Sequence, residues 1–415
     1  RQRQMCIRDS KWTLGKLLAA EENVRALLGA RTGLRIQFTH GAHGGWASIA
    51  LRTRSAADDD DLLWSVANSS FGIDTITGDV VDVPIGQRIL IAGTTGAGKS
   101  VASRPLLYKA SEGPTNVLVI IDFKKVEGRL WDHRARVVST PEEAIALIED
   151  LVLEMTWRLD EMPKGTSKWT PNTAHPRISV VVDEGAEAID QLTAVPVVVG
   201  FTEKGKPIVE KRNGIAMLGS IARMGRAPAV DLWWLTQKPM MSGAEPGITP
   251  QIAGQMNTKI CLAVSTPAET RVVLGEDAQG KGWNAEELPA PGVALVRDGR
   301  RGPHPIAVRH MTDEQVIALP DRRIWELPEA VRNSRPSQAA AVLAEPGELG
   351  LVLGEGQADD DQADAETPAS RVLDALAEGP LRQKEIEAAT GLPKSTLSRT
   401  VNAPVSYTHL RAHET

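Results

Sequence analysis

Cysteine is nearly absent from the 415 residues: only Cys6 and Cys261 occur. Two thiols so far apart exclude a disulfide framework and a cysteine metal cluster, and they fit a reducing compartment. No apolar run reaches the roughly 18 residues needed to cross a bilayer, and no signal-peptide pattern opens the chain. The expected location is therefore cytoplasmic, with attachment at the inner face of the cell membrane left open. His175, His304 and His310 lack metal-ligand spacing and carry no role. An excess of basic charge is also missing, since the formal net charge is −6. That argues against a uniformly basic nucleic-acid binder, but a local basic channel is compatible with it. No internal repeat is visible.

What is present centres on Arg88-Ile-Leu-Ile-Ala-Gly-Thr-Thr-Gly-Ala-Gly-Lys-Ser100. A short apolar run leads into Gly-x-x-x-x-Gly-Lys-Ser and then a helix-compatible segment, the pattern of a nucleotide-phosphate cradle. Gly93, Thr94, Thr95, Gly96, Ala97, Gly98, Lys99, Ser100 and Val101 form the expected binding stretch. Its glycines let backbone N–H groups turn onto phosphates, a helix N-terminus points at them, Lys99 reaches the terminal phosphates and Ser100 offers a hydroxyl to Mg²⁺.

Around it, Asn116–Asp122 and Arg177–Asp183 are continuous apolar runs, as expected for strands buried on both faces of a mainly parallel sheet. Pro141-Glu-Glu opens a helix whose core stripe is Ile145, Ile148, Val152, Met155 and Leu159. Phe71–Val83 reads as a hairpin, 194–211 as an insertion, 213–226 as a helix, and 230–239 as a strand halted by Pro239. Strands at 258–264, 293–297 and 306–308, with a helix at 267–274, complete an α/β sheet.

The expected domains are a small N-terminal α+β segment (10–60), an ATPase core (61–320), an acidic flexible linker (321–368) and a helix-turn-helix (369–404). In the first, Leu14, Leu17, Leu18, Val24, Leu27 and Leu28 mark an amphipathic stretch. Residues 1–9 and 405–415 resemble translated sequencing-adapter read-through and are left out of the fold, so the native termini lie elsewhere.

Hydrolysis needs a second acidic site beside the cradle. Asp183 is assigned to Mg²⁺ and Glu184 to activation of the attacking water, because both follow the end of a buried strand. Gln237, at the end of the next strand, could hydrogen-bond the γ-phosphate or the lytic water. Arg226, Arg223 and Arg271 are candidates for an arginine acting on a neighbouring subunit, with Arg226 preferred. Trp233 and Trp234 read as core rather than as a base-stacking platform.

The phrases Ala92–Val101, Ile121-Asp-Phe-Lys124, Val-Val-Val-Asp183-Glu184, Gly225-Arg-Ala227 and Leu235-Thr-Gln-Lys-Pro239 resemble the FtsK/SpoIIIE family of DNA-translocating motors over about 71–308. Ala222–Arg226, Leu232–Pro239 and Arg271–Glu276 look most like its TraB-type members from actinobacterial conjugative plasmids and integrative elements. The resemblance implies a RecA-like P-loop NTPase core and a hexamer that uses ATP and Mg²⁺ to move double-stranded DNA. The cargo would be plasmid or integrative-element DNA between cells, or chromosomal DNA at division. It also implies a C-terminal winged helix that reads DNA, here stopping before any wing, with Lys394, Ser395, Thr396, Ser398 and Arg399 facing the groove or its phosphates. Membrane association would rest on regions outside this chain. The competing readings are a protein-secretion ATPase, which would carry tandem ATPase domains, and a DNA-binding regulator with a vestigial nucleotide fold.

Overall fold

The computed structural model describes residues 2–8, 13–29, 36–40, 46–52 and 62–334, apart from 203–204, 244 and 290. The turn at 41–45, the acidic run 58–61, the chain beyond 334 and the helix-turn-helix with its five DNA-facing candidates lie outside the described residues.

The N-terminal segment has strand β1 (Gln2–Arg8), helices α1 (Leu14–Ala19) and α2 (Glu21–Leu28), and strands β2 (Ile36–His40) and β3 (Trp46–Arg52). Leu17, Ile36, Phe38 and Ile49 form its core. The single amphipathic stretch breaks at Ala20 into two helices, which changes the phase and leaves Leu18 and Leu27 exposed. β3 lies in the middle of an antiparallel sheet of order β1-β3-β2. Residues 2–8, left out of the fold reading, pair as a strand with β3. An open sheet edge recruits an extended segment through backbone hydrogen bonds, whatever its side chains.

The core begins with β4 (Gly72–Asp74) and β5 (Val80–Val81), the expected hairpin. Next come β6 (Ile89–Ala92), α3 (Lys99–Ser111), β7 (Asn116–Ile121), β8 (Ala135–Val138), α4 (Pro141–Asp160), β9 (Arg177–Val182) and α5 (Gly185–Leu192). β10 (Val195–Phe201) and β11 (Pro207–Arg212) pair only with each other, so the insertion at 194–211 is a separate hairpin. Then follow α6 (Gly214–Met224), β12 (Val230–Thr236), α7 (Pro250–Ala253), β13 (Thr258–Cys261), α8 (Pro267–Leu274), β14 (Val293–Arg297), β15 (Pro305–Val308), α9 (Asp313–Ile317) and α10 (Glu329–Arg332).

Ten strands form one sheet of order β5-β4-β15-β14-β13-β6-β12-β9-β7-β8. The six from β13 to β8 are parallel, and the remainder add on antiparallel. Alternation along each parallel strand divides the apolar residues between two cores. Leu90, Val119, Val180 and Trp234 face α4, α5 and α6, whereas Ile91, Ile120, Val181 and Trp233 face α3. Both indoles are fully buried in these cores, as read from the sequence.

Two expectations change. Leu159 is 37% exposed, because the stripe of α4 has rotated off the core by its last turn. Residues 321–334 are not linker, since Trp325, Leu327 and Val331 are buried in the core that includes α4. Their spaced apolar side chains would lose water-exclusion free energy in a solvated tether, so they dock.

A buried ion pair ties the back of the sheet together. Arg158 Nε donates to Glu154 Oε1 at 2.8 Å, while its other nitrogens donate to the carbonyls of Pro228 and Pro176, each at 2.8 Å. Those carbonyls lie on the chain entering β12 and β9. Replacing Glu154 with Leu strands the guanidinium in the interior. It is expected to cost about 3–5 kcal/mol, read as a lower urea midpoint at unchanged slope.

Candidate nucleotide site

Three parallel strands end in step to make the site. Thr236 of β12 is in register with Ala92 of β6, and Trp234 of β12 with Val182 of β9. The next residues along these strands, Gly93, Gln237 and Asp183, therefore emerge together at the carboxyl ends, in the crevice where α/β sheets bind nucleotides.

The cradle is pinned on several sides. Gly93 N–H donates to the Thr236 carbonyl at 3.3 Å, Thr94 N–H to the Ala263 carbonyl at 2.9 Å, and Gly292 N–H to the Ala97 carbonyl at 3.1 Å. Gly96 and Gly98 have φ of +84° and +90°, which a side chain would strain. A Cβ on Gly93 would lie 2.8 Å from Leu262 Cβ. α3 starts at Lys99, so its free N–H groups and positive dipole end open onto the cradle.

Lys99 and Asp183 meet. Lys99 Nζ donates to the Asp183 carbonyl at 2.8 Å and lies 3.6 Å from Asp183 Oδ1, both side chains being buried. Burial pushes the Asp183 carboxyl above its ordinary range; Lys99 opposes this, and Asp122, Glu127 and Glu184 reinforce it. A cation at Asp183 would relieve that charge crowding. Mg²⁺ asks for few protein ligands, typically one or two carboxylates with waters and substrate phosphates. Ser100 and Asp183 suit that demand, and no cluster of three or more His, Cys, Asp or Glu suited to a metal exists among the described residues.

Glu184 is 6% exposed and held by three donors. Its Oε1 accepts Gln237 N–H at 3.0 Å and the Thr236 hydroxyl at 3.3 Å, and its Oε2 accepts Lys124 Nζ at 2.9 Å. The Gln237 side chain turns the other way and accepts the Thr95 hydroxyl through Oε1 at 2.8 Å, so it links the cradle to Glu184's strand. A cavity of ≈ 330 Å³ opens beside Glu184, lined in part by Lys124, Ala186, Glu187, Gln237, Lys238 and Glu245.

The arginines are not brought here. Arg226 is exposed just before the amino end of β12, and its charge acts on Arg88 and Asp231. That end is about 20 Å from the cradle along a seven-residue strand. Within its own chain Arg226 therefore cannot touch the nucleotide. Arg223 donates to Ser220 Oγ, and Arg271 to Gln279 Oε1. His175 and His304 pair with Glu154 and Asp74, both at 2.8 Å, and so hold structure.

The FtsK/SpoIIIE family model matches residues 64–227, which include the cradle, Lys124, Asp183 and Glu184. Over that stretch the chain is similar to FtsK/SpoIIIE proteins. A MarR family model matches residues 366–403, over the segment read as helix-turn-helix. Among similar proteins, Protein Tra of Streptomyces lividans is 41% identical over 397 residues, covering 95% of this chain and 62% of that protein. DNA translocase FtsK of Treponema pallidum is 24% identical over 347 residues, covering 76% of this chain and 40% of its own. The chain thus spans less than two thirds of either relative. A solved structure of the pCW3 conjugation coupling protein TcpA, a monomer form with ATPγS, aligns with TM-score 0.48 and 20% identity over 76% of this chain and 87% of that one.

Gly185, directly after the acidic pair, has no room for a methyl group: an added Cβ would sit inside the contact distance of Trp234 Nε1 and the Gly247 carbonyl. Gly185→Ala is expected to lose about 1–3 kcal/mol and to lower the thermal midpoint. An unchanged midpoint would mean that α5 shifts freely beneath Glu184.

Proposed function

We propose that this chain is an ATPase motor that moves double-stranded DNA, assembled as a homo-hexamer. The observation that carries the hydrolytic part is the convergence of Lys99, Asp183, Glu184 and Gln237 at the ends of three adjacent parallel strands. The DNA part is supported by the relatives, which are named Protein Tra and DNA translocase FtsK, and by the MarR match on the same chain. Transfer of plasmid or integrative-element DNA between cells is the cargo assignment, resting on the 41% identity with Protein Tra.

In this reading the backbone of 93–100 and Lys99 hold the phosphates, and Ser100 with Asp183 hold Mg²⁺, which when bound offsets phosphate charge. Glu184 takes the proton of the attacking water, Gln237 orients that water, and Lys99 stabilises the charge developing on the phosphoryl oxygens. Arg226, exposed and far from its own cradle, is assigned to the neighbouring subunit's nucleotide. The C-terminal segment reads DNA through Lys394, Ser395, Thr396, Ser398 and Arg399.

An ATPase assay on the full chain tests this. Duplex DNA should stimulate hydrolysis, and Lys99→Ala or Glu184→Gln should each lower it by about 100-fold or more. Indifference to DNA would overturn the motor reading. Lys394→Ala combined with Arg399→Ala should weaken DNA binding in a mobility shift. It should also flatten the slope of log affinity against log salt by about 2 if both side chains meet phosphates.

A further inference from the structure

We propose that Lys124 is a positioning residue that fixes the direction in which Glu184 accepts a proton. The inference rests on the hydrolytic reading above and assigns a further residue to it.

An ionised carboxylate offers about four lone-pair positions. On Glu184, Oε1 accepts Gln237 N–H and faces the Thr236 hydroxyl, whose proton is shared with the Lys238 carbonyl. Oε2 has one donor among the described residues, Lys124 Nζ at 2.9 Å. One acceptor position on Oε2 is therefore left for a water, and the ammonium decides where it points. Without it, the carboxylate would be tethered through Oε1 alone and could swing about its last torsion, which is soft.

The loop that presents Lys124 is built to hold it still. Asp122, at the end of β7, accepts four backbone N–H groups: Lys124 at 2.9 Å and Lys125 at 3.0 Å on Oδ1, Val126 and Gly128 at 2.9 Å on Oδ2. Lys125 takes φ of +58°, a left-handed conformation that costs free energy without a glycine. Gly128 packs against Asp122, where a Cβ would come within 3.2 Å of its Cβ and Oδ2. β7 pairs directly with β9, so this frame and Glu184 share one rigid sheet. A pair that served only solubility would be exposed at both ends, whereas the carboxylate here is buried.

Steady-state ATPase of the full chain with saturating duplex DNA separates the outcomes. Lys124→Met should lower kcat by about 10- to 100-fold, with KM for ATP and affinity for a non-hydrolysable ATP analogue within twofold of the parent. Lys124→Arg should recover most of the rate, and Lys124→Met added to Glu184→Gln should cost little beyond Glu184→Gln alone. A normal kcat in Lys124→Met overturns the inference, as does a parallel loss of analogue binding, which marks a purely structural role. If Glu184→Gln itself keeps the parental rate, the hydrolytic reading fails instead.

Discussion

The site depends on the register of β12 between β6 and β9. β12 sits in the middle of the parallel half of the sheet, and its two tryptophans face opposite cores. Trp233 donates through its indole to the Gln87 carbonyl at 3.0 Å, and Trp234 to the Gly247 carbonyl at 2.7 Å. A slip of one residue would exchange the two faces and break both bonds. It would also separate Gln237 from the cradle on one side and from Glu184 on the other. Holding this strand in one register is thus the same physical event as assembling the site.

Electrostatics explains why the charged groups come in alternation. Lys99, Asp183, Glu184 and Lys124 place two cations against two carboxylates in a largely water-excluded crevice, where unpaired charge is expensive. Burial first, and then the acidic neighbours Asp122, Glu127 and Glu184, push the Asp183 carboxyl above its ordinary range. Asp122 looks equally acidic in sequence, yet its four backbone donors make it the frame of a loop. Identical carboxylates at the ends of neighbouring strands thus take different work from their hydrogen-bond partners.

Most of the core was legible because apolar runs such as Asn116–Ile121 and Arg177–Val182 are short, unbroken and bounded by turn residues. The cradle was legible for a different reason: its chemistry is local, confined to eight consecutive residues. Lys124 had no assigned role because its meaning lies in a contact with Glu184, sixty residues on in the chain; the available signal was an Asp closing a buried strand followed by a Gly six residues later. Arg226, read as acting on a neighbouring subunit, lies before the amino end of β12 and so away from its own cradle. Trp325, Leu327 and Val331 carried a packing signal that the acidic composition further on obscured.

Gln237 shows how such a site can report its state. Its side chain is bonded to Thr95 in the cradle while its backbone N–H is bonded to Glu184. It also begins the loop that leads to Gly247, and that loop has little slack. Gly247 lies so close to the Lys238 carbonyl that no side chain would fit, and the Gly247 carbonyl is held by Trp234. A phosphate that drew the Thr95 hydroxyl away from Gln237 would free the Gln237 side chain while its backbone stays bonded to Glu184.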